Sequence, residues 1–202
     1  MKKLKNPKNE EITVREVADF LKLHRETVNR MIKSGELPAL KVGTAWRYHT
    51  SGGKIHVRVT RHEKVGDVTC AVLETRADEQ VVATEQVAVR ADGVYRYLIA
   101  GQKADPPFRF LKLPANNGDT WEAMTRLGGQ TIKATFEIGE EEVKVPAGKF
   151  QAVVVRSREF EVAGQKLSSQ VWYARGVGMV KSEMTIAGNP IHVELEKFEP
   201  AK

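Results

Sequence analysis

A chain of 202 residues with 41% hydrophobic and 29% charged side chains has the balance of one or two folded domains, not of a disordered or fibrous polypeptide. No apolar run approaches the roughly 18 residues that span a bilayer, and the basic start Met1-Lys2-Lys3 has no hydrophobic stretch behind it. No membrane partner, no secretory leader and a cytoplasmic location are therefore expected, and the single Cys70 excludes both an internal disulfide and a multi-cysteine zinc site.

The net charge of +6 is unevenly spread, because residues 1–54 hold 12 Lys+Arg against 6 Asp+Glu whereas 55–202 hold 20 of each. A basic head on a neutral body predicts that the head meets a polyanion. Lys2, Lys3, Lys5 and Lys8 fit a solvated tail, but Arg25, Arg30, Lys33, Lys41 and Arg47 fall inside patterned sequence.

The pattern begins at Thr13-Val14-Arg15-Glu16, a capping box in which hydroxyl and carboxylate satisfy exposed backbone N–H groups. Val14, Val17, Ala18 and Leu21 follow at helical spacing, predicting a helix over about 14–22. A second helix over about 25–33 carries Val28, Met31 and Ile32 on one face and Glu26, Asn29, Arg30 and Lys33 on the other. Gly35 then supplies a helix stop. Helices this short need a partner. Leu37–Val42 and Ala45–His49 around Gly43-Thr44 read as a β-hairpin wing, with Leu40 and Trp46 as an apolar lid over both helices.

Ile12-Thr13-Val14-Arg15-Glu16-Val17-Ala18, Thr27-Val28-Asn29-Arg30-Met31-Ile32, Gly35-Glu36-Leu37-Pro38-Ala39 and Val42-Gly43-Thr44-Ala45-Trp46-Arg47 closely resemble the excisionase-like, MerR-type winged helix-turn-helix domain. The resemblance covers about residues 11–49 and implies sequence-specific binding of double-stranded DNA without a catalytic step. His24 stands where the family usually has a Ser cap, and Thr50-Ser51-Gly52-Gly53 stands where it usually continues into a further helix. On this template the second helix enters the major groove and the wing meets the backbone. Arg25, Thr27, Asn29 and Arg30 are the candidates to reach bases or flanking phosphates, since Arg suits guanine and Asn suits adenine. Lys33, Lys41, Thr44 and Arg47 are candidate phosphate contacts.

From Lys54 onward the helical period gives way to alternation, as in Ile55-His56-Val57-Arg58-Val59. Turn signals recur at Asp92-Gly93, Asn116–Asp119, Gly128-Gly129, Pro146–Gly148, Ala163-Gly164 and Gly188–Pro190. They predict an antiparallel meander of about ten strands, a curved sheet or half-barrel, in which only Trp121–Leu127 could form a short helix. The expected organisation is thus an α+β two-domain chain: residues 1–50 a winged helix-turn-helix, 51–54 a linker, 55–202 an all-β domain. Val145–Phe150 and Val171–Val180 resemble signatures of a diffuse group of β-rich domains akin to the half-barrels of bacterial lipoprotein carriers, over about residues 115–198. That resemblance implies room for an apolar ligand.

Tests for chemistry point away from an enzyme. His49, His56 and His62 lack a spacing that would gather them on a metal, Ser168-Ser169 has no nearby His with a carboxylate partner, and Gly176-Val177-Gly178 precedes a strand. No catalytic residue, metal or cofactor is expected, and Cys70 reads as a core position. The leading expectation is a transcriptional regulator or excisionase-like accessory factor, with the β domain sensing an apolar small molecule or forming a homodimer. The alternative is a ligand-binding or carrier β domain with the head as an appendage.

Overall fold

A computed structural model of the chain describes residues 40–162, 165–186 and 188–202. The helices expected over about 14–22 and 25–33, with Arg25, Thr27, Asn29, Arg30 and Lys33, lie outside the described residues.

The described residues form strands β1 (Ala45–Thr50), β2 (Gly53–Val65), β3 (Val68–Ala77), β4 (Gln80–Arg90), β5 (Gly93–Ile99) and β6 (Gln102–Lys112). They continue as β7 (Thr120–Leu127), β8 (Gln130–Val145), β9 (Gly148–Val162), β10 (Gln165–Ala174), β11 (Gly178–Ile186) and β12 (Asn189–Glu199). Each strand pairs antiparallel with the next, and β12 returns to pair with β1, so the sheet closes into a barrel. The antiparallel meander is as expected; the open curved sheet is corrected to a closed barrel. Closure gives every described strand a hydrogen-bonded neighbour on both sides.

Strand identity follows from period-two burial. In β7, Trp121, Ala123 and Thr125 are buried and Glu122, Met124 and Arg126 exposed, so the stretch considered for a helix is a strand. The apolar side chains gather in two main clusters, one around Trp46, Tyr48, Trp172 and Leu195, the other around Phe108, Trp121, Phe136 and Ile138. In the second, the Trp121 and Phe136 rings lie 5.1 Å apart and Phe108 meets Phe136 edge-on at 6.1 Å. Cys70 is fully buried in β3 with Ala88 and Tyr97, as its apolar surroundings in sequence suggested.

The described strands number twelve against about ten expected, because β1 joins the barrel and some turns carry no turn signature. Asp78 and Glu79 join β3 to β4 with φ of 45° and 71°, and Ala100 and Gly101 join β5 to β6 with φ of 48° and 79°. Two-residue hairpin turns with both φ values positive usually hold Asn-Gly or Gly-Gly, as at Gly128-Gly129. Replacing Asp78-Glu79 by Asn-Gly should therefore raise stability by about 1 kcal/mol, the cost of a left-handed non-glycine residue. Chemical denaturation measures it, and an unchanged midpoint would show the turn to be unstrained.

The barrel has one thin seam. β6 and β7 share only the pairs Ala104↔Leu127 and Asp105↔Arg126, and Pro106 and Pro107 bring no N–H to it. Side chains bridge the rest: Thr125 Oγ1 donates to the Pro106 carbonyl at 2.6 Å and Trp121 Nε1 to the Arg109 carbonyl at 3.1 Å. Thr125 is fully buried, so Thr125→Val should cost about 1–2 kcal/mol by stranding a buried carbonyl. The urea midpoint should fall with an unaltered slope; a neutral effect would mean the seam holds by packing alone.

Candidate nucleic-acid interface

Three expected DNA contacts lie among the described residues. Lys41 is exposed beside the turn in which the Thr44 N–H donates to the Lys41 carbonyl at 3.1 Å. Arg47 is exposed on β1, with Nη2 3.9 Å from Glu199 Oε1. Thr44, the third, is 7% exposed and its carbonyl accepts from the Val59 N–H at 2.9 Å. A hydroxyl that covered is poorly placed to meet an external anion.

The wing expected over Leu37–Val42 and Ala45–His49 lies partly outside the described residues, which begin at residue 40. β1 is hydrogen-bonded on both sides, by β2 through Ala45↔Arg58 to Thr50↔Gly53 and by β12 through Ala45↔Glu199 to Thr50↔Val193. Both edges of β1 are therefore occupied by barrel strands. Ser51 and Gly52 form the turn from β1 to β2, and Thr50 Oγ1 accepts from the Gly52 N–H at 3.2 Å. The expected tether is thus a hairpin turn. Trp46, expected to lid the helices, is buried in the barrel, donates from Nε1 to the Val177 carbonyl at 2.6 Å and lies 6.0 Å from the Phe198 ring. Two residues on, Tyr48 donates its hydroxyl to the Met179 carbonyl at 2.9 Å, and burial raises its pKa far above that of a free phenol. Both acceptors lie in the Val171–Val180 motif.

With Trp46 and Tyr48 turned into the core, alternation turns Arg47 outward. Register places Arg47 directly opposite Lys197 on β12 and His56 on β2, and His56 opposite Arg76 on β3. Arg58 lies opposite Ala45 one step along. These side chains line a groove of about 590 Å³ that also touches Val42 and Gly43. Glu199 is the carboxylate closest to the cations, 2.5 Å from Lys197 Nζ; Lys197, then Arg47 and His56, hold its carboxyl below the usual carboxylate range. Sequence balance hid this face, since a body neutral in total can still concentrate one sign on one side.

The other histidines do not converge with it. His62 Nε2 lies 2.8 Å from the Leu40 carbonyl, and His49 is paired with Lys54 and Glu194. Among the described residues no three His, Cys, Asp or Glu side chains are grouped to hold a metal ion. The Ser168-Ser169 expectation changes: a small depression holds both serines with His192 and Glu183, His192 Nδ1 being 3.9 Å from Glu183 Oε1. Adjacent strands bring together what the sequence separates. His192 is more than half exposed, and none of the hydrogen bonds between described residues joins it to a serine.

Comparison with known proteins agrees with the sequence resemblances. Residues 11–51 match a family described as helix-turn-helix domain, and residues 122–186 one described as DUF3108-like. A Mycobacterium tuberculosis protein provisionally named as DNA-binding is 43% identical over 42 residues, which are 21% of this chain and 54% of that protein. The chain thus spans about half the length of the relatives it matches. Among solved structures, an exported protein (provisionally so named) with a YmcC-like fold from Bacteroides fragilis has a TM-score of 0.48 at 17% identity, covering 79% of this chain and 97% of its own. A provisionally named lipoprotein from Parabacteroides distasonis has 0.46 at 13%, covering 79% and 96%.

β1 therefore lies within the helix-turn-helix match and within the barrel at once. Trp46→Ala should cost the barrel about 3–5 kcal/mol, the usual cost of truncating a core Trp. Calorimetry of the full chain would show it as a lowered barrel melting temperature; an unmoved barrel transition would mean that Trp46 serves the N-terminal segment instead. The chain joins a segment that matches the helix-turn-helix domain family to a twelve-stranded barrel whose second half matches the DUF3108-like family.

Proposed function

We propose that this protein binds double-stranded DNA through its N-terminal helix-turn-helix segment, as a transcriptional regulator or excisionase-like accessory factor acting in the cytoplasm without a catalytic step. The observation that carries the reading is the 11–51 match together with 43% identity to a protein provisionally named as DNA-binding. The segregated charge supports it, since 12 of the 32 Lys+Arg lie in residues 1–54. Arg25, Thr27, Asn29 and Arg30 read bases or flanking phosphates, and Lys33, Lys41 and Arg47 hold the backbone. The barrel senses a small molecule or pairs two copies, so that two heads address one site; either event would alter DNA affinity by changing how the heads are presented.

A second reading, a ligand-binding barrel with the N-terminal segment as an appendage, draws on polar groups in the second apolar cluster. Arg96 lies 4.3 Å above the Phe110 ring and 3.3 Å from Glu85 Oε2, and the Tyr173 ring on β10 meets Phe110 on β6 at 6.2 Å. Strands so far apart in the sheet touch only across the barrel. Burial pushes the Tyr173 hydroxyl up to about 12 despite the Arg96 charge beside it.

Fluorescence anisotropy of the full chain on a random-sequence duplex, over a salt series, decides between them. DNA binding should weaken steeply with salt. Arg30→Ala should cost about 1–3 kcal/mol and relax preference at one base position, whereas Lys41→Ala should weaken all duplexes alike and lower the salt slope by about one. Equal, sequence-blind losses would remove Arg30 from base reading. No binding at low salt would favour the ligand-binding barrel.

A further inference from the structure

We propose that the barrel itself carries a second phosphate-binding surface, the outer face of β12-β1-β2-β3, which grips the backbone of the duplex held by the helix-turn-helix segment. The proposal rests on the DNA-binding reading above and extends it from the head to Lys197, His56, Arg58 and Arg76 of the barrel.

The register makes the case. Lys197, Arg47, His56 and Arg76 stand side by side on four successive strands, each directly opposite the next. Lys197 and Arg47 are like charges directly opposite one another, an arrangement that weakens a sheet. Strands about 4.8 Å apart make it about 15 Å long, a distance over which a duplex presents about nine phosphate charges. Arg58 adds a further cation one step along, opposite Ala45 on β1 and Glu74 on β3, and lies within ion-pair distance of no carboxylate among the described residues. Against these cations the groove wall sets only two carboxylates, Glu74 and Glu199. Both engage exposed partners: Arg61 and Arg76 lie 3.3 and 3.6 Å from Glu74, and Lys197 and Arg47 lie 2.5 and 3.9 Å from Glu199. Exposed pairs of this kind are weak and exchange readily for phosphate.

Position argues for duplex DNA as the occupant. Val42, Gly43, Ala45 and Arg47 on the groove wall lie inside the 11–51 helix-turn-helix match. Arg47 thus belongs both to that match and to the row. Neither Arg58 nor Arg76 is part of the buried core, so removing them should leave the barrel intact.

The test compares the full chain with R58Q/R76Q and with Glu199→Gln on the same duplex across a salt series, with melting curves to verify folding. R58Q/R76Q should lower the slope of log affinity against log salt by about two and weaken every duplex alike, since each phosphate contact contributes about 0.9 to that slope. Glu199→Gln, which frees Lys197 and Arg47, should tighten binding several-fold. That gain cannot come from misfolding. Wild-type binding with neither variant altering affinity or slope would overturn the barrel surface and leave the head reading standing. Equal binding and equal losses on polyglutamate would overturn phosphate recognition in favour of an acidic protein partner. Failure of the wild-type chain to bind DNA at low salt would overturn both.

Discussion

Everything in the described structure turns on a short strand that is hydrogen-bonded along both edges. β1 pairs with β2 on one side and β12 on the other, and without it the remaining strands would form an open curved sheet with two exposed edges. Its core face locks it in place. Trp46 and Tyr48 donate to the carbonyls of Val177 and Met179 across the β10–β11 connection, and both rings bury in the cluster that contains Trp172 and Leu195. Two buried aromatic residues, each with its polar atom satisfied, hold a closing strand far more firmly than backbone pairing alone.

That constraint couples the two parts of the chain. The strand that closes the barrel lies at the C-terminal end of the segment with helix-turn-helix character, so there is no free tether between that end and the barrel. Any force on the barrel is transmitted to Leu40–Thr44, where Val59 exchanges hydrogen bonds with Gly43 and Thr44 and His62 meets the Leu40 carbonyl.

Several features were legible in the sequence for definite physical reasons. Alternation at Ile55–Val59 marked a strand, since a half-buried strand needs opposite solvation on its two faces. Gly128-Gly129 and Pro146–Gly148 marked turns because few other residues adopt the required backbone. Asp78-Glu79 was illegible for the converse reason: neither residue signals a positive φ, and only the pairing of Ala77 with Gln80 imposes it. The helix-turn-helix resemblance was legible because its motifs are local and ordered along the chain.

The sequence by itself determined strand character, most turns, the burial of Cys70 and the electrostatic separation of head from body, because each depends on neighbours a few residues away. Tertiary structure alone decided three things. Thr50–Gly53 has the composition of a flexible linker, but pairing between β1 and β2 makes it a turn. Trp46 has the pattern of a helix lid, but its acceptor at Val177 lies 131 positions along the chain. Lys197, His56, Arg58 and Arg76 look like scattered charges in a neutral body, and only the closure that sets β12 beside β1 and β2 beside β3 brings them to one face. Local sequence specifies which face of a strand is wet; which wet faces become neighbours is settled by the long-range pairing that closes the barrel.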